Sequence, residues 1–399
     1  MIYQYKAISQ TGETIEGFFE GENEADVLAM LKGNRYIPIS IKKDIEAEAK
    51  VDLFSKPVKK KDLAIFCRQF YTMLNAGMGI TSCLDILGKQ SENKTLMKAL
   101  KIVHENVQKG ATLSESMGKH TKIFPLLLIN MIQAGEVSGN LDTIMERMAL
   151  HFEKENKLES QIKSAMIYPI ILALVSIAVV IFLLIAVMPT FIGMFESSGQ
   201  ALPMPTQILM KLSGWLTEFW YIFLGGVIIM VGGFVFYKKT PAGQITLDLV
   251  KLKIPIVKDT NIKIITSRFT RTLSTLMSSG IPLLESIEIV GKVLGNKVVQ
   301  KRLEKSIEDI RQGATLSRAV SDVSIFPSML DSMIKVGEES GALDDILYKT
   351  ADFYDDEVEV ALQRLTTLME PLMIVVMAVV IGFIVLAMAL PMFDMVNTI

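Results

Sequence analysis

The chain has few of the residues from which active sites and disulfide frameworks are built. Its two cysteines, Cys67 and Cys83, are too few for a framework of bridges, and both fall where the spacing is helical, so reduced thiols in a helical core are expected. The three histidines, His104, His120 and His151, have no counterparts in the internal repeat described below, which predicts surface or core places rather than catalytic ones. With 41 basic and 43 acidic residues the net charge is −2. That leaves no electrostatic case for nucleic acid. A phosphate-binding loop is also missing: Gly118-Lys119 is followed by His120, without the glycine that such a loop needs further upstream. The opening Met1-Ile-Tyr-Gln-Tyr-Lys6 lacks the charged-then-apolar order of a cleaved signal peptide. No cofactor is expected.

Half of the residues are hydrophobic, and they gather in three stretches of membrane-spanning length. Ser164 to Phe195, with its apolar heart over 167–189, Phe219 to Tyr237, and Pro371 to Phe393 carry no Asp, Glu, Lys, Arg or His. A span needs ~20 apolar residues, and buried helices of soluble proteins rarely run so long without a charge. The missing ionisable groups argue against a transporter, a proton relay or an intramembrane protease. Lys154, Lys157 and Lys163 precede the first span and Lys238 and Lys239 follow the second, whereas the loop between them, Glu196 to Glu218, holds Lys211 alone. The positive-inside rule then places the N-terminus and the segment 238–370 in the cytoplasm, and the short loop and the C-terminus outside.

The chain repeats itself. Ala76-Gly77 returns as Ser279-Gly280, and Gly110-Ala-Thr-Leu-Ser114 as Gly313-Ala-Thr-Leu-Ser317. After the loss of one residue, Phe124-Pro125 returns as Phe326-Pro327, and Gly135-Glu-Val-Ser-Gly-Asn-Leu-Asp142 as Gly337-Glu-Glu-Ser-Gly-Ala-Leu-Asp344. Such a unit is far longer than the ~20–50 residues of a solenoid repeat, so this is a duplicated domain. Two crossings separate the copies, which makes the repeat parallel, unlike the inverted repeats of many transporters.

The predicted organisation follows. Residues 1–43 read as a small α/β module: Tyr3, Tyr5 and Ala7 alternate, as do Ile15, Gly17 and Phe19, a helix covers Glu24 to Lys32, and Ile37, Ile39 and Ile41 form a last strand. Residues 44–60 are a polar linker. Residues 61–195 form the first repeat, a helical bundle plus the span at 167–189. An extracytoplasmic loop (196–218) and the span 219–237 follow, and 264–393 form the second repeat with the span at 371–393. The fold class is an all-α membrane protein with two homologous cytoplasmic bundles of about six helices each, three transmembrane helices and the small N-terminal module.

Three constellations stand out. In the doubled Gly-Glu-x-Ser-Gly-x-Leu-Asp segment, Gly135 suits a left-handed helix end, and Ser138 or Asn140 suits the cap of the next helix. Those needs leave Glu136, Asp142, Glu338 and Asp344 unexplained, with Glu339 added in the second copy. Glu136, Ser138, Asp142, Glu338, Glu339, Ser340 and Asp344 are therefore candidate partner contacts, with calcium at the four shared carboxylates as the weaker alternative. Pro169 and Pro371 enter the repeated spans and Pro189 and Pro391 close them, candidate hinges between bundle and membrane. Finally, His151-Phe-Glu-Lys-Glu-Asn-Lys157 faces Phe353-Tyr-Asp-Asp-Glu-Val-Glu359 across the repeat. These are solvated faces, or surfaces offered to different partners or to each other.

The doubled motifs with a proline-bounded span resemble the inner-membrane platform proteins of type IV pilus assembly and type II secretion. The segment Phe195 to Pro205 is similar to that family's extracytoplasmic loop, and Tyr-x-Tyr-x-Ala with Gly12 and Gly17 to its opening module. The resemblance implies a non-enzymatic hub in the bacterial inner membrane. Such a hub contacts a hexameric cytoplasmic assembly ATPase (and a retraction ATPase where there is one), pilin or pseudopilin subunits, other assembly proteins and lipid, and works as a homo-oligomer. Wording such as Phe66-Cys-Arg-Gln-Phe70 leans toward pili over secretion. A membrane enzyme or transporter and a passive receptor are the rivals from other classes.

Overall fold

The computed structural model describes residues 2–8, 14–20, 28, 36–43, 56–190 and 203–396. The helix expected over 24–32, apart from Leu28, most of the linker, and the segment 191–202 lie outside the described residues. The chain divides into two compact units, Met1–Val58 with Glu92–Leu96, and Lys59–Ser91 with Met97–Ile399.

In the first unit, β1 (Ile2–Ile8), β2 (Thr14–Glu20) and β3 (Ile37–Lys43) form an antiparallel sheet in the order β2-β1-β3. The register pairs Tyr3 with Phe19 and Tyr5 with Ile41. It slips between Lys6 and Ala7, where Ala7 pairs with Pro38. Proline cannot donate to a ladder, so it belongs on an edge strand or beside such an irregularity, and here it has both.

The second unit is helical. The first copy comprises α1 (Lys60–Asn75), α2 (Ile80–Gln90), α3 (Lys94–Gln108), α4 (Leu113–Gly118), α5 (Leu126–Ser138) and α6 (Leu141–Phe182). α7 (Met204–Glu218), α8 (Trp220–Lys239) and α9 (Pro241–Lys253) follow. The second copy comprises α10 (Pro255–Ser278), α11 (Leu283–Val293), α12 (Lys297–Arg311), α13 (Leu316–Asp322), α14 (Ser328–Ser340) and α15 (Leu343–Val396). The doubled Phe-Pro pair explains part of each core. Phe124 packs on Phe66 with ring centroids 6.2 Å apart, and Phe326 on Phe269 at 4.8 Å. Pro125 and Pro327 occupy the N-caps of α5 and α14, one position before the first helical residue, where a fixed φ costs nothing and no N–H is missed. Cys67 and Cys83 are buried and free.

Among the described residues three helices are long and apolar enough to cross a membrane: Leu141–Thr190, Trp220–Lys239 and Leu343–Leu390. Two of them begin inside the bundles. α6 is 42 residues long and α15 is 54, about 63 and 81 Å at the helical rise of ~1.5 Å per residue. The last helix of each bundle is thus also its span. Ile170, Ile171, Leu174 and Val175 on α6, and Leu372, Val375, Val379 and Leu386 on α15, are exposed, a surface that lipid tolerates and water does not.

Two expectations are corrected here. Pro391 does not close its helix, since α15 runs on to Val396, whereas after Pro189 the described helical structure reaches Thr190. Nor is 196–218 simply a loop, since Met204–Glu218 is helical. α7 lays Leu209 against Leu184 and Met188 of the first repeated span and Ile384 and Ala387 of the second.

Candidate functional site

The two doubled motifs meet in space. Glu136, at the end of α5, accepts hydrogen bonds from the N–H groups of Leu113 (2.5 Å) and Ser114 (3.1 Å) and from the Ser114 hydroxyl. In the second copy Glu338 accepts from the N–H groups of Leu316 (2.5 Å) and Ser317 (3.0 Å), while the Ser317 hydroxyl donates to Thr315 instead. Thr112 and Thr315 cap the same short helices by accepting from Glu115 and Arg318. The first N–H groups of a helix have no intrahelical acceptor and carry partial positive charge, so a carboxylate there supplies both needs. Gly-Ala-Thr-Leu-Ser and Gly-Glu-x-Ser-Gly are two halves of one clamp.

The glycines divide the work otherwise than expected. Gly135 lies inside α5, and the left-handed residues are Gly139 (φ 75°) and Gly341 (φ 69°). Gly139 and Asn140 both donate to the Gly135 carbonyl, which closes the helix end. Gly135 and Gly337 are needed for close approach. A Cβ at Gly135 would stand 2.9 Å from Ile144 Cγ1 and 3.2 Å from Leu141 Cα; at Gly337 it would stand 2.9 and 3.0 Å from Leu343 Cδ1 and Cα. Asn140 caps α6 by position, without a side-chain bond, and the Ser138 hydroxyl donates back to Gly135. Asp142 and Asp344 sit in the first turns of α6 and α15, where the helix dipole favours acids. Of the candidate contacts, Ser138, Glu339, Ser340 and Asp344 are exposed, Asp142 is half-buried, and Glu136 and Glu338 turn inward. Among the described residues no group of three or more His, Cys, Asp or Glu could hold a metal ion.

The unequal segments of α6 and α15 face each other. Arg271 on α10 donates to Asp352 and Asp355, both at 2.6 Å, and its guanidinium lies 5.3 Å from the Tyr348 ring centre. From the first copy, Lys154 reaches the same acids at 3.1 and 3.8 Å. Glu155 pairs with Lys60 of its own copy and, at 3.4 Å, with Arg268 of the other. Gln161 donates to Glu359 at 2.7 Å and Arg147 to Ser279 at 3.0 Å. Next to these groups, Leu158 packs with Val358 and Leu362. Burial works to raise the Glu155 pKa, yet Arg268, Lys60 and His151 together hold it below the usual carboxylate value. Burial pushes the neighbouring His151 down to about 4, against the pull of Glu155. This contact is built from charged and titratable side chains, and the opposed segments were one sign of it in the sequence. The repeat itself holds a further signal: Lys60–Glu155 and Arg68–Glu153 recur as Lys263–Glu357 and Arg271–Asp355.

At the far ends of the repeated spans the prolines find substitute donors. In α15 the Ala387 carbonyl would accept from residue 391, which is proline, and the Thr206 hydroxyl of α7 donates to it instead. In the first span Leu183–Val187 is π-helical, with the N–H of Met188 bonded to Leu183. In that pattern Leu184 would accept from residue 189, also proline, and the Ser213 hydroxyl of α7 donates to it at 2.6 Å. An unpaired carbonyl in lipid is costly, so these two hydroxyls are what the prolines require. Pro169 and Pro371 lie within continuous helix, the first buried and the second exposed.

Geometry of this kind defines a polytopic membrane protein in which each of two duplicated bundles shares a helix with its own span. The model of the family described as type II secretion system, protein F, matches residues 66–189 and again 269–391, and that for its N-terminal domain matches residues 1–42. The type IV pilus assembly protein PilC of Thermus thermophilus is 37% identical over 100% of this chain and 98% of its own length. PilC of Myxococcus xanthus is 36% identical over 100% and 95%. The type II secretion system protein F of Vibrio cholerae is 32% identical over 99% and 98%. The chain belongs to the type II secretion system protein F family.

Proposed function

We propose that this chain is the inner-membrane platform of a type IV pilus assembly machine, coupling a cytoplasmic hexameric ATPase to the polymerisation of pilin. The observation that carries this reading is the continuity of α6 and α15, each unbroken from a bundle into a span. A push on either bundle reaches the membrane along one rod. The similarity to two PilC proteins supports the pilus branch. Similarity to a type II secretion protein F supports the second reading, a platform for a pseudopilus.

In this reading both bundles lie in the cytoplasm and the C-terminus outside, as the lysines flanking the spans require. The three N-terminal strands belong to a small α/β module (1–43) joined by a linker (44–60) to the repeats at 61–195 and 264–393. The chain is no enzyme: its partner hydrolyses ATP. Ser138, Asp142, Glu339, Ser340 and Asp344 form the ATPase-facing tips, while Glu136 and Glu338 hold the tips in shape. Pilin helices and other assembly proteins meet the spans, and several copies assemble around a symmetric motor. Pro169 and Pro371 let each rod bend where it enters the lipid.

The test is a Gly-Pro-Gly insertion after Lys163, in a cell whose own gene is deleted. Pili should be lost while the ATPase still co-purifies with the platform. Normal piliation with normal secretion would sink the coupling role; pili intact but secretion lost would select the second reading. Charge reversal at Glu339 and Asp344 should weaken ATPase co-purification without unfolding the chain.

A further inference from the structure

The helix that follows the second span shows water an apolar face. α9 exposes Ile245 (43%), Leu249 (37%) and Val250 (43%), and the chain continues into exposed Ile254 and Val257. Its opposite face is used internally. Gly243 lies so close to the end of α8 that a Cβ would stand 1.9 Å from the Tyr237 carbonyl oxygen. Asp248 is buried and accepts from the N–H of Lys297 (3.0 Å), the first residue of α12. With that acid turned inward, the segment 238–258 presents Lys238, Lys239, Lys251, Lys253 and Lys258 at its surface, and the next acid along the chain, exposed Asp259, pairs with Lys263 at 3.2 Å. Lys251 also pairs with Asp248 at 3.0 Å.

We infer that the outward face of α9 is seated in the headgroup layer of an anionic membrane leaflet and anchors the second bundle there. The inference rests on α8 crossing the membrane. α8 has 20 residues, about 30 Å at the helical rise, which matches a hydrocarbon core of ~30 Å. Trp220 and Tyr221 mark one end and Tyr237 the other, as interfacial aromatics do. Thr240 alone separates α8 from α9, so α9 starts at the interface. Its exposed apolar residues run from Ile245 to Val250 and continue at Ile254 and Val257 beyond its end, which fits a helix lying in the plane of the membrane better than one leaving it. Lysines around an apolar face, with the single acid withdrawn, match anionic headgroups rather than a basic or neutral partner.

The test uses the full chain reconstituted in vesicles of phosphatidylcholine, with or without phosphatidylglycerol. Leu249→Cys carries a fluorophore; Cys67 and Cys83 are both 0% exposed and stay unlabelled. The label should be quenched by lipid-borne nitroxides and shielded from aqueous iodide, more so with phosphatidylglycerol. Glu339→Cys, at a bundle tip, gives the water reference, and Phe234→Cys, in α8, the lipid reference. Iodide quenching at 249 equal to that at 339 overturns the proposal, and so does shielding from both quenchers, which would identify a protein occupant. Loss of lipid quenching at 234 would instead show that α8 does not cross. The variant Lys251→Gln/Lys253→Gln/Lys258→Gln should lose the phosphatidylglycerol effect at 249 and keep the lipid signal at 234; an undiminished effect refutes the anionic assignment. If Leu249→Cys fails to fold, Ile245→Cys reports on the same face.

Discussion

Arg68 and Glu153 in the first copy occupy the places of Arg271 and Asp355 in the second, and both pairs form, at 2.8 and 2.6 Å. Their surroundings differ. The Arg68 and Glu153 side chains are 36% and 44% exposed, against 7% and 23% for Arg271 and Asp355. The difference comes from the other copy: α6 lies over the second pair, with Lys154 beside Asp352 and Asp355, and among the described residues no ion pair from the second copy reaches Arg68 or Glu153. Ile65 holds the position equivalent to Arg268, and Leu150 that equivalent to Asp352. Contacts within each bundle are repeated while contacts between bundles are one-sided, so one face of the first bundle stays open where the matching face of the second is covered. Residues shared by the two copies thus hold each bundle's fold, and residues that differ between them set how the two pack.

Arginine-to-alanine substitution in each copy tests that difference with the largest expected effect. Arg271→Ala leaves Asp352 and Asp355 without their main partner in a partly buried site, a loss of about 3–5 kcal/mol. Arg68→Ala removes an exposed pair and should cost under ~1 kcal/mol. Chemical unfolding of the full chain in mixed micelles measures both; equal losses would break the asymmetry.

Acidification is the next test, because the contact between copies holds His151, Glu155 and Asp352, each with a lowered pKa. His151 is neutral when folded, with a pKa near 4, below its ordinary value. A depressed folded pKa means that the unfolded chain binds the proton first. Stability is therefore full above the ordinary histidine range and falls as pH drops through it toward 4, by up to ~1.4 kcal/mol per pH unit. Glu155 and Asp352, also held low, lose stability in the same direction at lower pH. In His151→Gln the slope between about pH 6.5 and 4 should flatten. A slope unchanged in that variant would place the acid sensitivity elsewhere.

Much of this was legible in the residues. The doubled motifs, the spans and most helices follow from spacing, because one buried face per helix leaves a periodic trace. The contact between copies was less so. α10 carries Thr266, Thr270 and Arg271, all buried, because α15 packs on one side of it and α6 of the first copy lies near the other. A helix covered twice does not show a polar outer face where periodicity looks for one. Thr266 and Thr270 satisfy their hydroxyls locally, donating to Ile262 and Thr266 at 2.8 and 2.9 Å, which is how such residues enter a core. The internal partners of Glu136 were hidden for a related reason: they lie 22 and 23 residues away. A carboxylate near a turn looks available until the helix start it faces is known. Between Gly135 and Gly139 the sequence offers two glycines, and only packing against α6 decides which one takes the left-handed turn.

A smaller effect is expected where the copies agree. Glu136→Gln and Glu338→Gln keep the shape of the clamp and remove its charge, so each should cost about 1.5–3 kcal/mol, the range for hydrogen bonds to charged groups. The two losses should be alike, since both clamps face the same kind of helix start. A loss confined to Glu338 would extend the asymmetry from the contact between bundles into the bundles themselves.

The smallest expected effect lies at the far ends of the spans, where the copies solve one problem in two ways. Both spans lose an N–H to proline, but the first opens into a π-turn and the second stays α-helical. Each is served by one hydroxyl from α7, Ser213 for Leu184 and Thr206 for Ala387. Ser213→Ala and Thr206→Val should each cost about 0.6 kcal/mol, the mean for hydrogen bonds inside membranes. The proline decides whether that figure measures the bond or something local. If the hydroxyl stands in for the missing N–H, Pro391→Ala should let residue 391 bond Ala387 directly, and Thr206→Val should then cost nothing. In the first span Pro189→Ala should do the same for Ser213→Ala and also let the π-turn relax toward α. A double-mutant cycle at each site reads this as a coupling energy close to the single-mutant cost. Zero coupling at both would mean that α7 is held by Leu209 and its neighbours alone, and that the hydroxyls bond carbonyls which did not need them.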